Sequence, residues 1–389
     1  MKPLNIGAGC CSVLFAHKEL TLKIISVFNN KGGVGKTTLT FHVAHALATL
    51  QKKVLIIDAD PQCNLTIYGI DQEKIHDIWK DEDEFIDFGF DSTNKKMSSD
   101  EIKNFNSTPR SIHYLLKPTE EGTGDSEHLP PPLELNKFLH LVPGRLSLHL
   151  FEEKIAQRWT DTYRGDPLSI RTVTKIRSLA ETYSKKYNYD IVIIDTSPSL
   201  GSLNKVIIST VDGFFIPTFP DLFSLYGIKN IGKSLSKWKE EFDIIYKLIS
   251  DDKRKLFPSC FVRFMGYTIY NARPYSGVND WDLAQGHMNY AKEIPGYIKN
   301  NISKEIMSVV SGEIDKPIGM KAVMHTHNTF PSMAQYYHKP MWEVPSHDKI
   351  EQEHRSTLAG SRSKYEGTKE KYQEFAKDLL SRIASLESK

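Results

Sequence analysis

The run Ile24-Ile25-Ser26-Val27-Phe28 is apolar and β-branched, and it leads within two residues to Lys31-Gly32-Gly33-Val34-Gly35-Lys36-Thr37-Thr38. A helical stretch, Lys36–Leu50, follows at once. A strand, a glycine-rich turn and a helix N-terminus together make a phosphate cradle. The turn's N–H groups and the positive end of the helix dipole point at the anion. Lys36 is spaced to reach the terminal phosphates, and Thr37 offers a hydroxyl to Mg²⁺. The loop departs from the general P-loop pattern at one position, where Asn30 stands for the first glycine, and it carries an additional lysine, Lys31.

A chain of 389 residues has room for one large or two ordinary domains. Its 40% hydrophobic and 25% charged content are those of a globular protein. The net charge is only +2, so any contact with nucleic acid must come from a local patch. No apolar run approaches the roughly 18 residues that a membrane-spanning helix needs. Residues 1–22 lack the long apolar core of a signal peptide and are read as an extension ahead of the fold. The cysteines, Cys10, Cys11, Cys63 and Cys260, form no CxxC pair and no zinc spacing, which fits reduced thiols in a cytoplasm.

Short β-branched runs alternate with longer amphipathic segments, so the expected fold is α/β. The sheet is mostly parallel and twisted, with about seven or eight strands and helices on both faces. Expected strands are Lys23–Phe28, Val54–Asp58, Phe138–Val142, Ile191–Asp195, Gly213–Pro217, Val262–Ile269 and Met341–Val344. Expected helices include Arg171–Tyr187, Leu222–Ile249 with a break, and Thr368–Leu386. The last puts Tyr372, Phe375, Leu379, Leu380, Ile383 and Leu386 on one core-facing stripe. The stretch 71–132 reads as a partly flexible insertion in a single domain spanning 23–389. Asp81-Glu82-Asp83-Glu84 is its solvated charge run, and its later part, Glu120–Gly124 and Pro130-Pro131-Pro132, is loop.

Two further carboxylate motifs belong with the cradle. Val54-Leu55-Ile56-Ile57-Asp58 is a buried strand ending in an acid, and Asp60 follows, 24 residues beyond Lys36. Tyr189-Asp190-Ile191-Val192-Ile193-Ile194-Asp195 is a second apolar strand ending in an acid, the Walker B pattern. Strand C-terminal ends converge on the ligand crevice of an α/β sheet. Carboxylates there have a use, since Mg²⁺ takes oxygen ligands and keeps several waters. Asp195 would bind Mg²⁺ through a water, opposite Thr37.

With Lys31 on its loop, the motif resembles the deviant Walker A motif of the ParA/Soj/MinD-type ATPases, nearest the ParA-like partitioning members. The resemblance runs from about Lys23 to the C-terminus and is looser after Asp251. It implies an ATP-dependent sandwich dimer in which Lys31 reaches the partner's phosphates. It further implies ATP/ADP and Mg²⁺ as ligands, Lys31 and Lys36 among the catalytic groups, and slow hydrolysis. By the same resemblance, Asp-x-Asp-Pro-Gln at 58–62 is switch I, with Asp60 positioning the attacking water and Asp58 supporting the metal. Thr196–Gly201 resembles switch II, with Ser197 in place of a proline. Asn271 aligns with the family's adenine-reading residue, although a turn-forming Asn reads equally well there. Relatives of the nitrogenase iron protein share the loop but hold a cluster through cysteines, and this chain has none from Asn64 to Ser259.

The resemblance implies non-specific duplex DNA and an activating or cargo-adaptor protein as partners. Arg273 aligns with one DNA-contacting arginine of the family, whereas His325-Thr326-His327 stands where a second is expected. Lys229, Lys233, Lys237 and Lys239 are either a phosphate-tracking stripe or a solvated helix face. An alternative is a switch that positions or gates a protein partner without DNA. MinD-like membrane cycling needs an amphipathic basic tail, and the mixed charge of the last helix disfavours it. His325-x-His327 lacks a third ligand for a metal site.

Overall fold

The computed structural model describes residues 22–308 and 313–387. The segment 1–22 read as an extension lies outside them except for Leu22, as do Cys10 and Cys11. Seven strands form one sheet: β1 (Lys23–Val27), β2 (Val54–Ala59), β3 (Leu133–Asn136), β4 (Leu139–Val142), β5 (Ile191–Thr196), β6 (Gly213–Thr218) and β7 (Arg263–Ile269). Their order is β3-β4-β2-β5-β1-β6-β7, parallel throughout except for β3 against β4. The expected α/β fold with a mostly parallel sheet is therefore what forms.

Fourteen α-helices of the described residues cover the sheet. They are α1 (Lys36–Thr49), α2 (Asn64–Gly69), α3 (Gln72–Asp87), α4 (Phe90–Asn94), α5 (Ser99–Phe105), α6 (Ile112–Glu121) and α7 (His149–Arg158). After these come α8 (Pro167–Tyr187), α9 (Ser202–Thr210), α10 (Leu222–Leu248), α11 (Asp251–Arg254), α12 (Gln285–Asn301), α13 (Phe330–Tyr336) and α14 (Gln352–Ala384). Strands β2, β5 and β6 are buried along their whole length, as a parallel sheet covered on both faces requires. Side chains alternate between two cores. Ile57, Val192 and Ile194 face the layer of α6 to α10 and α12, whereas Ile56, Ile191 and Ile193 face α1 and α14. Helix α1 is apolar nearly all round and buried from Leu39 to Ala48, because α14 closes its outer side.

Several expectations need correction. Met341–Val344 is not a strand but part of a 3₁₀ turn, Met341–Ser346, between Pro340 and Pro345. Pro345 falls within the turn and Pro340 precedes it, fixing φ at both ends, and Met341, Trp342 and Val344 plug the core beside α1. The stretch 71–132 contains four helices, and part of Glu120–Gly124 is the end of α6. The acidic run lies inside α3 and is not uniformly solvated: Glu82 is fully buried. Strand β3, just after the triple proline, was not expected. Helix α10 runs unbroken through Gly227 and Gly232. At Gly232 a Cβ would come within 2.1 Å of the Asn301 carbonyl, so glycine lets α10 and α12 touch. The stripe on α14 is a core stripe as expected, with Tyr372, Phe375, Leu379 and Ile383 buried, but the helix begins sixteen residues earlier, at Gln352.

Candidate nucleotide site

The sheet order makes the site. β1 lies beside β5, and β5 beside β2, so the loop after β1 and the acids ending β2 and β5 meet at one edge. Asp58 and Asp195 are direct neighbours in the β2–β5 register, and Val27 pairs with Asp195. The loop from Asn29 turns into α1 through Gly33 (φ 73°) and Gly35 (φ 80°), left-handed conformations that glycine adopts freely. At Gly35 space is a second constraint: a Cβ would sit 2.3 Å from the Tyr270 ring. Nothing lies within 4 Å of a Cβ at Gly32 or Gly33, leaving room for an anion beside the backbone. Val34 is buried beneath the loop. Asn29 braces the loop, donating from Nδ2 to the Pro217 carbonyl at 2.7 Å and accepting from the Lys31 N–H at 2.9 Å.

Lys36 is buried, and its Nζ donates to the Lys31 carbonyl at 3.3 Å, so the chain folds back over the loop where a phosphate would lie. Burial pulls its pKa down, against the charges of Asp195 and Asp60, which raise it. Thr37 Oγ1 donates to Asp195 Oδ2 at 2.8 Å, and Thr40 Oγ1 to Asp195 Oδ1 at 3.0 Å. Thr38 Oγ1 lies 3.1 Å from the Tyr68 hydroxyl. Burial pushes the Asp195 carboxyl up to about 6, and burial together with Asp195 pushes Asp58 up to about 7. Asp60 is raised too, chiefly by burial, although the Gln62 N–H and Lys36 oppose it.

Two buried carboxylates side by side, with threonine hydroxyls on both, suit a divalent cation that would relieve their repulsion. The described residues hold no group of three or more His, Cys, Asp or Glu side chains able to bind a metal alone. That fits Mg²⁺, which takes one or two carboxylates and completes its shell with phosphate and water.

Lys31 turns away from this cradle. Its Nζ lies 2.5 Å from Asp221 Oδ2, at 5.4 Å from the Phe219 ring centroid and 5.7 Å from that of Phe223. Asp221 also caps α10 through the Ser224 N–H. Burial pushes its carboxyl up, but the bonds from Lys31 and Ser224 outweigh that and hold it below the usual range. Asp221, Tyr68, Tyr270 and Thr66 are site residues that the sequence did not single out; only Asp221, an N-cap after a Pro, carried a local signal.

Asn271 follows Tyr270 with φ 60° and is exposed, a left-handed turn position at the crevice rim. Arg273 is exposed, and its backbone N–H donates to His287 Nδ1 at 2.9 Å. His325 meets the Trp281 carbonyl, and His327 is buried against Tyr270 and Tyr372 with its pKa pulled down to about 3 by burial. Of the α10 lysines, Lys229, Lys233 and Lys237 share the exposed face, while Lys239 turns to Asp243 and Glu305. Among the described residues no helix is long and apolar enough to cross a membrane.

The family model of the AAA domain matches residues 22–120 and 133–247. The chain is 28% identical over 219 residues, 56% of its own length and 66% of the other's, to an uncharacterised protein of Methanocaldococcus jannaschii. It is 26% identical over 219 residues, 56% of its length and 59% of the other's, to the chromosome partitioning protein ParA of Myxococcus xanthus. The matched stretches thus span less than two thirds of these relatives. Among solved structures, the ATP complex of a Cyanothece McdA variant superposes with a TM-score of 0.52 at 14% identity, covering 92% of this chain and 96% of that one. At that identity the likeness establishes the fold.

Proposed function

The chain belongs to the AAA-domain family as a ParA/Soj/MinD-type P-loop protein, and from that premise we propose that it is a slow, Mg²⁺-dependent ATPase acting as a partitioning switch. Two subunits close face to face over two nucleotides, and hydrolysis releases them. The observation that carries this reading is the division of labour between two lysines on one loop. Lys36 folds over its own cradle, whereas Lys31 points out of it to Asp221. A cation on the rim is available to phosphates held by a second subunit, the use made of an arginine finger in other phosphoryl-transfer enzymes.

Within one subunit, the N–H groups of Gly32 to Thr38 and the Lys36 ammonium bind the phosphates. Thr37, Asp58 and Asp195 are the residues that would hold Mg²⁺, which when bound neutralises charge between the phosphate oxygens. Asp60 accepts a hydrogen bond from a water and orients it for in-line attack. Asn271 lies at the rim to meet the base, and Arg273 beyond it to meet DNA phosphates.

The partitioning role is supported by the likeness to the chromosome partitioning protein of Myxococcus xanthus and by three lysines along one exposed face of α10. The protein-partner alternative is supported by the packed histidines at 325 and 327, where a DNA-contacting arginine is expected. The discriminating experiment uses the Asp60→Ala protein and non-specific duplex DNA, with ATP and with ADP, across a salt series. ATP-dependent binding with a steep salt slope supports the partitioning switch, because released counterions set that slope. A protein that dimerises with ATP yet ignores DNA supports the protein-partner switch.

A further inference from the structure

Asp58 is held by its neighbours more tightly than any other acid of the site, and the chief holder is Thr66. Its backbone N–H donates to Asp58 Oδ2 at 2.8 Å and its hydroxyl to the same oxygen at 2.6 Å. The other oxygen, Oδ1, accepts the Asp60 N–H at 3.2 Å. The Thr66 hydroxyl uses its single hydrogen in the bond to Asp58, so it can only accept at its lone pairs. It does so from the Gly144 N–H at 2.7 Å.

Gly144 is itself pressed against the carboxylate. A Cβ there would stand 3.0 Å from Asp58 Cγ and Oδ2 and 3.0 Å from Cys63 Sγ. The corner is braced from outside by α3. Trp79 Nε1 donates to the Gly144 carbonyl at 3.0 Å, and Arg145 Nη1 donates to the Trp79 carbonyl at 2.7 Å. The Arg145 guanidinium also meets Glu82 and Asp83. Asp58, Thr66 and Glu82 are all fully buried, so the bonds that Thr66 and the Gly144 N–H make around Asp58 are shielded from water, whereas the outer brace at Trp79 and Asp83 reaches the surface.

We infer that Thr66 is the positioning residue that aims Asp58 at the metal, with the Gly144–Arg145 corner and α3 as its outer brace. This rests on the reading of Asp58 as a residue that would hold Mg²⁺. The geometry goes beyond it by naming what sets Asp58. With both Thr66 donors on Oδ2, that oxygen is fixed, and Oδ1, whose one protein donor is the long bond from the Asp60 N–H, keeps a lone pair for a cation. Losing a group that orients a metal's ligand typically costs about 10–100-fold in metal affinity or activity.

The test measures binding of a fluorescent ATP analogue, mant-ATP, by the full chain while Mg²⁺ is titrated, and again in EDTA. Thr66→Val keeps the shape and removes the hydroxyl. The Mg²⁺ concentration for half-maximal tight binding should rise at least about tenfold, the lower end for outer-shell loss, while the EDTA affinity stays within about twofold. Thr66→Ser, which restores the hydroxyl, should restore the Mg²⁺ dependence. Wild-type Mg²⁺ dependence in Thr66→Val, or Thr66→Ser as impaired as Thr66→Val, would overturn the inference. If Thr66→Val fails to fold, Gly144→Ala serves, since it crowds Asp58 without removing a polar group. The same rise in Mg²⁺ requirement is expected, and an unchanged requirement overturns the inference. A wild-type protein that binds mant-ATP with Mg²⁺ but never hydrolyses ATP would sink the ATPase reading and leave this one standing.

Discussion

Lys31 Nζ and Asp221 Oδ2 are 2.5 Å apart, joining the rim of the P-loop to the first turn of α10 within one subunit. The pair is about a quarter exposed on each side. Such a half-exposed ion pair is worth little, so a better anion can displace it. A lysine that reaches a second subunit's phosphates must leave Asp221 to do so. Asp221→Asn should therefore lower the ATP concentration needed for dimerisation, by about fivefold if the pair is worth about 1 kcal/mol. Sedimentation across an ATP titration reads this. Lys31→Ala should abolish the dimer in either background while the monomer still binds nucleotide.

Lys36→Ala removes the ammonium above the cradle. Loss of a charge-assisted bond costs roughly 1.5–3 kcal/mol, so mant-ATP affinity should fall by at least about 10–100-fold. Wild-type affinity in this variant would remove Lys36 from the phosphate site.

Asp60→Ala leaves Lys36, Thr37 and Asp195 in place, so it should bind ATP with near wild-type affinity. Single-turnover hydrolysis should fall by about a hundredfold or more, in the range for a lost proton-transfer or water-orienting group. Unchanged turnover would move the water-positioning role to another residue.

The buried acids make the nucleotide-free protein sensitive to pH. Asp58, held up to about 7 in the fold, binds a proton that the unfolded chain has released above its ordinary 3.8. Stability from that proton is full at low pH and is lost as pH rises through about 7. Asp58→Asn does not titrate, so its advantage in Tm over wild type should grow between about pH 4 and pH 7 and then level off. At about 1.4 kcal/mol per pKa unit the gain amounts to a few kcal/mol. Buried His42, His45 and His327, all held well below their ordinary value, push the opposite way as pH falls. They are common to both proteins and cancel in the difference. An advantage that stays flat with pH would mean that Asp58 is ionised throughout.

What could be read from the sequence follows the range of each interaction. The loop from Lys31 to Thr38 is contiguous, and Asp58 and Asp195 each end an apolar strand, so local pattern plus chain order located them. The Lys31–Asp221 pair spans 190 positions and could not be seen. Thr66 was hidden for another reason: a lone threonine in a six-residue helix has no pattern, and its meaning comes from the Gly144 corner 78 residues away. Strand β3 is four residues long at the sheet edge, too short for periodicity to register. In α3 the charge of Asp81, Asp83 and Glu84 masked Glu82, which turns inward to Ser111 and Arg145. Met341–Val344 misled because its apolar pattern matches a strand, whereas its side chains are buried from a short 3₁₀ turn framed by Pro340 and Pro345.

The most direct test of the switch is the solution mass of the Asp60→Ala protein, by light scattering, with Mg²⁺ and either ATP or ADP. The expected mass is twice 44.4 kDa with ATP, 44.4 kDa with ADP, and 44.4 kDa in both when Lys31→Ala is added. A protein that binds ATP and stays at 44.4 kDa would rule out the sandwich dimer.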